Sequence, residues 1–188
     1  MNLVTLRDEM KKRRQQLTKE VWRRCSEQVS HHLFKTDFYQ NSHKIACYFS
    51  CHNELNTELI LNDIFFKNKS CYLPKIFPNN KMGFVAYQPE DTLQKNQFGI
   101  LEPTDKGQDI IKINQLDLVL APLVAFDKQG NRLGMGKGYY DKALANKAKK
   151  PFYCGLAYAF QQVEWIEARV WDVRLQAAIT EKEVVIFI

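Results

Sequence analysis

Leu116-Asp-Leu-Val-Leu-Ala-Pro-Leu-Val-Ala-Phe126 and, after a short polar turn, Asn131-Arg-Leu-Gly-Met-Gly-Lys-Gly-Tyr-Tyr-Asp141 decide how this chain reads. Leu116 to Ala121 has the character of a strand that a parallel sheet buries on both faces. The second stretch leaves that strand and opens a helix expected from about Tyr139 to Lys149, with Lys147, Lys149 and Lys150 suited to its C-terminal dipole and Pro151 ending it. Glycines at 134, 136 and 138 permit positive φ and let the backbone come close to a ligand. In open α/β sheets that place, beyond the carboxyl end of a strand, is where ligands usually sit. Free N–H groups of such a turn suit an anion, and Arg132 and Lys137 add charge for phosphates. The loop is not a Walker A motif, since Asn131 stands where its first glycine belongs and Gly138 replaces the Ser or Thr. Nor is it Gly-x-Gly-x-x-Gly, because Tyr139 takes the last glycine position.

Outward from this segment, strands and helices alternate. Residues 3–17 and 18–35 read as two helices, with Thr18 as N-cap of the second. Ile45 to Phe49 reads as a short buried strand, and Thr57 as the N-cap of a helix whose apolar face carries Ile60, Leu61, Ile64 and Phe65. Cys71 to Pro74 follows as a strand stopped by its proline. Residues 76–110 hold Pro78, Pro89 and Pro103 with little periodicity, so a long functional loop is expected, with Met82 to Tyr87 as an edge strand inside it. Phe152 to Ala157 and Val184 to Ile188 complete the sheet. The expectation is one three-layer α/β/α domain over residues 1–188 with a mostly parallel, Rossmann-like sheet.

Composition narrows the function classes. An apolar fraction of 45% and a charged fraction of 26% are ordinary globular values. The five cysteines are odd in number and include no Cys-x-x-Cys pair, so reduced thiols are expected rather than a disulfide framework. Cys47, Cys51 and His52 lack a second pair at zinc spacing and are set aside as a metal cluster. No apolar h-region opens the chain, and the run from Leu118 to Phe126 is too short to span a bilayer, so a cytoplasmic location without a membrane partner is expected. The first 24 residues hold eight cations, Arg7, Lys11, Lys12, Arg13, Arg14, Lys19, Arg23 and Arg24, against three carboxylates, nearly the whole excess of a chain with net charge +6. That arm reads either as a solvated helix face or as a surface for an anion, nucleic acid or a small phosphate- or carboxylate-rich molecule.

Several side chains carry two readings. Asp141 in a first helical turn is favoured by the dipole alone, and beside a phosphate loop it is equally suited to Mg²⁺. Tyr139 and Tyr140 point about 100° apart on a helix, so one can pack inward while the other faces a ligand. Glu54 is either a solvated loop carboxylate or an anchor for ligand donors.

The whole stretch Val124 to Asp141 resembles the signature of the 5-formyltetrahydrofolate cyclo-ligase family, also called methenyltetrahydrofolate synthetases. Four further blocks resemble it in order: the basic helix with Arg7; Phe49-Ser-Cys-His-Asn-Glu54-Leu-Asn-Thr57; Leu73-Pro74 with Gly99-Ile-Leu-Glu-Pro103; and Trp171-Asp172-Val173 with Ala178-Ile-Thr180. The resemblance implies a fold related to the sugar-phosphate isomerase and CoA-transferase group. It implies ATP held by Arg7 and by Arg132, Leu133, Gly134, Met135, Gly136, Lys137, Gly138, Tyr139 and Tyr140, and Mg²⁺ on Asp141 and Asp172. It implies folate against Phe49, Glu54 and the stretch Met135, Gly136, Lys137, Gly138, Tyr139. Lys137, Arg132 and Tyr139 are the expected catalytic residues of an ATP-dependent ring closure that turns 5-formyltetrahydrofolate into 5,10-methenyltetrahydrofolate. Two positions depart from the pattern: Leu3 where many members carry Lys, and Trp171 where many carry His. The expected partner is a small-molecule folate, with or without a polyglutamate tail, acting on a monomer without nucleic acid. The alternative is a nucleic-acid-binding module built on the basic N-terminal helix, although no recognised nucleic-acid motif accompanies it.

Overall fold

In the computed structural model, residues 2–78, 81–104, 110–145 and 151–187 are described. A seven-stranded sheet forms the frame. Its central strands are β1 (Lys44–Ala46), β6 (Leu118–Pro122) and β9 (Phe152–Leu156), flanked by β2 (Ser70–Phe77) and β11 (Ala177–Ile179), with β3 (Lys81–Tyr87) and β12 (Val184–Ile186) at the edges. The spatial order is β12-β11-β9-β6-β1-β2-β3. The five inner strands run parallel, and only the edge strands are antiparallel to their neighbours.

Alternation within the inner strands explains why both faces are dry. Ile45, Cys47, Leu118, Leu120, Cys154, Ala177 and Ile179 enter one core, while Ala46, Val119, Ala121, Tyr153 and Ala178 enter the other. On the first face lie α2 (Lys19–Phe34), with Cys25, Val29 and Leu33 four residues apart on one stripe, the short α3 (Asp37–Gln40), with Tyr39, and α4 (Glu58–Phe66), with Ile60, Leu61 and Ile64. The second face is covered by Leu144 of α5 (Tyr139–Leu144), by Phe84 of β3 and by Leu175 and Phe187. A third, smaller core joins α1 (Leu3–Gln15) to β7 (Ala125–Asp127) and β8 (Arg132–Leu133). With β10 (Gln162–Val163), β7 and β8 form a separate small sheet. The expected α/β class with a mostly parallel sheet is therefore the observed one.

Local boundaries differ from the expectations in instructive ways. Thr18 caps α2 as expected, accepting the Val21 N–H at 3.2 Å. Thr57 does not cap α4 with its side chain; its hydroxyl donates to the Tyr48 carbonyl, and Asn56 Oδ1 accepts the Glu58 N–H at 3.0 Å instead. Pro74 does not stop its strand: β2 runs to Phe77, with Pro74 opposite Phe84 of β3. The reason lies in the ladder. The Tyr72 carbonyl faces β1, where it accepts the Cys47 N–H, so residue 74 also turns its nitrogen to that side. β1 has ended by then, and a missing N–H costs no sheet bond. Residues 76–110 are more regular than a loop: β3 lies there, as do β4 (Leu93–Lys95) and β5 (Leu101–Pro103), which pair as a hairpin. The helix that begins at Tyr139 ends at Leu144; the expected extension over 146–150 lies outside the described residues.

Candidate active site

The strand order reverses between β1 and β6, and a cavity of about 320 Å³ opens at the carboxyl ends of these strands. Tyr48, Phe49, Cys51, His52 and Glu54, which leave β1, form one wall. Gly134, Met135, Lys137, Gly138, Tyr139, Tyr140 and Asp141 form the opposite wall. Pro122 and Leu123 leave β6 at the floor, and Pro74, Ile76, Met82, Asn96, Phe98 and Ile100 close a third side.

The glycine loop owes its shape to the turn before it. Asp127 is fully buried, and its carboxylate accepts the N–H groups of Gln129, Asn131 and Ile166 and the side-chain amide of Asn131, all at 2.9–3.0 Å. This ties the β7–β8 hairpin down immediately before residue 134. Gly136 and Gly138 then have φ of 96° and 65°, which disfavour any side chain. Among the described residues, the amides of 134–138 donate to nothing, so the loop presents unused N–H groups. Lys137 is exposed on it and forms no ion pair among the described residues, whereas Met135 is 48% exposed. Arg7 of α1 lies over the loop, its Nε donating to the Gly134 carbonyl at 2.9 Å and its guanidinium 3.7 Å from where a Cβ on Gly136 would stand.

Arg132 and Asp141 occupy their expected segment, but they face each other. Arg132 Nη2 donates to Asp141 Oδ1 at 2.8 Å and Nη1 to the Val173 carbonyl at 2.8 Å, with the guanidinium stacked 4.9 Å from the Tyr153 ring centre. The Arg132 side chain is only 5% exposed. Burial works against its charge, and Tyr153, Asp141 and Asp172 together outweigh burial and hold its pKa above the ordinary value. Asp141 Oδ1 also accepts the Val173 N–H at 3.0 Å, which fastens the 169–173 turn to α5. In that turn Asp172 Oδ2 accepts the Arg169 N–H at 2.8 Å, and the neighbouring Trp171 is 63% exposed. Asp172 does not line the cavity, and the Leu133 side chain is buried in the third core, leaving only its backbone for a ligand.

On the other wall, Phe49 packs edge-on to Tyr87 with 5.6 Å between ring centres. Glu54 is buried to 8% exposure and pairs with Arg14 Nη1 at 3.5 Å. Burial is the largest influence on its pKa and raises it, opposed by Arg14 and by bonds from the Cys51 amide and thiol. The same burial pushes the Cys51 thiol up to about 12, so it is a hydrogen-bond donor and a poor nucleophile. Tyr139 meets Phe98 edge-on at 6.2 Å, while Tyr140 turns inward against Phe84 and Tyr153, the division expected from their spacing.

Sequence reasoning missed Arg14, Tyr48, Asn96, Phe98 and Ile100. Arg14 sits in a polar run that reads as solvated, yet positions 6, 10 and 14 of α1 are its buried face. The other three of the third side hang on a hidden strap. Glu102 of β5, buried, accepts the Ile76 N–H at 3.3 Å and the Asn96 side-chain amide at 3.1 Å, and the buried Lys75 donates to the Pro103 carbonyl at 2.9 Å. Two buried charges between apolar neighbours were the available signal. The basic N-terminal arm is not a continuous outer surface: Arg7 turns to the loop, Arg13 to the Phe160 ring at 4.6 Å, and Arg14 to Glu54.

A mostly parallel α/β sheet with a glycine loop over the crevice at its switch point defines a protein of the open α/β class, whose ligands usually sit beyond the carboxyl ends of the strands. The chain belongs to the 5-formyltetrahydrofolate cyclo-ligase family, whose model matches residues 3–181. It is 40% identical over 173 residues to the 5-formyltetrahydrofolate cyclo-ligase of Haemophilus influenzae, covering 90% of this chain and 92% of the relative. To that of Escherichia coli K12 it is 32% identical over 178 residues, covering 93% and 98%. Its fold is similar to the NMR structure of Aquifex aeolicus 5,10-methenyltetrahydrofolate synthetase, with a TM-score of 0.85 at 33% identity over 99% of this chain and 93% of that one. Among the described residues, no helix is long and apolar enough to cross a membrane.

Proposed function

We propose that this chain consumes ATP, with Mg²⁺, to close 5-formyltetrahydrofolate to 5,10-methenyltetrahydrofolate, releasing ADP and phosphate. The observation that carries the reading is one cavity with two unlike walls. The loop wall offers unused amides, Lys137 and the neighbouring Arg7 to phosphates. The β1 wall offers the Phe49 ring and the Glu54 carboxylate to a flat heterocycle bearing N–H donors. The formyl oxygen of the folate is an amide oxygen and a poor nucleophile, so it must be held against the terminal phosphoryl group. Once the terminal phosphoryl group has passed from ATP to that oxygen, releasing ADP, N10 adds to the formyl carbon and gives up its proton, and the carbon–oxygen bond breaks as phosphate leaves. Lys137 and the loop N–H groups neutralise charge that develops on the phosphoryl oxygens. Tyr139, between the loop and Phe98, helps enclose the reacting groups and exclude water.

Asp141, on the cavity wall, fits a hard cation because its Oδ2 has no hydrogen bond among the described residues, and Asp172, off the lining in the adjoining 169–173 turn, likewise keeps Oδ1 without one. Bound there, Mg²⁺ would supply charge neutralisation to the phosphates. Arg132 then acts as the fixed counter-ion that orients Asp141 rather than as a free phosphate ligand.

The test is optical. Methenyl product absorbs where 5-formyltetrahydrofolate does not, so new absorbance should grow with MgATP and stay flat without either ATP or the metal. Growth without nucleotide would refute the use of ATP, and no growth under any condition while the chain retains RNA at moderate salt would refute the reading in favour of a binding module.

A further inference from the structure

α1 carries two inward-reaching arginines, the half-buried Arg7 and the buried Arg14, seven residues and so about two helical turns apart, on nearly the same stripe. Arg7 reaches the glycine loop and Arg14 reaches Glu54. Arg14 is the less expected of the two. It is 1% exposed, and among the described residues its single polar contact with a side chain is the 3.5 Å bond to Glu54 Oε1, while its buried Nε and Nη2 have no partner there. A fully buried cation is costly unless paired. Its placement therefore calls for a reason beyond packing.

Glu54 supplies one. Its two oxygens are held separately: Oε1 by Arg14, Oε2 by the Cys51 N–H at 3.2 Å and the Cys51 thiol at 3.5 Å. The backbone around it is fixed as well, since Trp22 Nε1 donates to the Glu54 carbonyl at 2.8 Å and the Asn53 side chain donates to the Arg14 carbonyl at 3.2 Å. A carboxylate taken out of water in this way tends to protonate, and a protonated acid offers a ligand one fewer acceptor.

We infer that Arg14 is a positioning residue that keeps Glu54 ionised and aimed into the cavity, so that the folate wall can accept hydrogen bonds from its ligand. This rests on the proposed role of Glu54 as a folate contact and goes beyond it by assigning Arg14 a function. The other titratable groups facing Glu54 stay neutral over the working range: burial raises Tyr48, Tyr140 and Tyr158, and it holds Cys51 at about 12. Histidines as a class titrate in that range, so His52, which lines the same cavity, is replaced by Gln in every protein compared.

The experiment measures the dissociation constant of 5-formyltetrahydrofolate, and separately that of a non-hydrolysable ATP analogue with Mg²⁺, between about pH 6 and pH 9. It compares the parent with Arg14→Met, which fills the same space without charge, with Arg14→Lys, and with Glu54→Gln. Without the Arg14 charge less opposes burial, so the Glu54 pKa rises further and the share of ionised carboxylate falls most at the acid end. Arg14→Met should therefore bind folate about tenfold or more weaker at the acid end and recover affinity as pH rises. Arg14→Lys should stay close to the parent, with no pH trend, and nucleotide affinity should hold in all variants. Folate affinity of Arg14→Met equal to the parent at all pH would overturn the inference. So would an equal, pH-independent loss of both ligands. Should Arg14→Met not fold, infrared difference spectra of the parent minus Glu54→Gln decide at neutral pH: an ionised carboxylate supports the role, and a protonated carboxyl overturns it. Unchanged folate affinity in Glu54→Gln would instead remove Glu54 from the folate wall, a failure of the underlying reading and not of Arg14's effect on the carboxylate.

Discussion

Arg132 and Lys137, two cations five residues apart on one segment, have opposite situations. Lys137 stands in the open on a loop of unused amides, while Arg132 is closed into a pair with Asp141. Lys137→Ala should lower turnover by roughly 10²–10³-fold, the scale of one lost transition-state charge partner, with the melting temperature unchanged. Arg132→Met should lower both, because it leaves a half-buried carboxylate without its counter-ion, at a cost of about 1–3 kcal/mol. Steady-state kinetics beside thermal melts separate the two. Glycine positions divide similarly. Gly136→Ala places a side chain at φ 96° and should cost about 1–2 kcal/mol, whereas Gly134→Ala meets open space and should melt like the parent. The glycines and Lys137 were legible in the sequence because their function needs rare residue types close together. The Arg132–Asp141 pair was not, since spacing within a loop does not tell which way a side chain points.

At the scale of elements, the site depends on short pieces held by buried polar atoms. The hairpin between β7 and β8 turns on Asp127, with four donors on one carboxylate. Asp127→Ala should cost about 3 kcal/mol or more, a fall in melting temperature of roughly 6–12 °C, and should loosen the loop that follows. A melt within a degree or two of the parent would contradict that role. Such elements explain what the sequence concealed. Long periodic segments, α2, α4 and β6, declare themselves through burial on a regular stripe or a continuous run. β8 and β10 have two residues each, and β11 is Ala-Ala-Ile, too short and too small for a periodic signal. Pro74 misleads because a strand may carry proline wherever its neighbour has already ended.

For the whole molecule, the arrangement of the sheet decides where chemistry can occur. Chain order takes β2 to one side of β1 and β6 to the other, and the cavity lies where the two directions part. α1 ties the two walls together, with Arg7 bonded to the glycine loop and Arg14 to Glu54. The fold class was legible from alternating strands and helices, and Phe49, Glu54 and the glycine-loop wall became legible through the family resemblance, whereas Tyr48, Asn96, Phe98 and Ile100 did not. What periodicity could not supply was the meeting of segments 48–54, 96–100 and 132–141, which follows from sheet order. That meeting is the central claim, and a crystal grown with a non-hydrolysable ATP analogue, Mg²⁺ and 5-formyltetrahydrofolate tests it directly. The account predicts the terminal phosphate against the amides of 134–138 and Lys137, with the pterin between Phe49 and Glu54. Nucleotide density elsewhere, with this loop vacant, would contradict it.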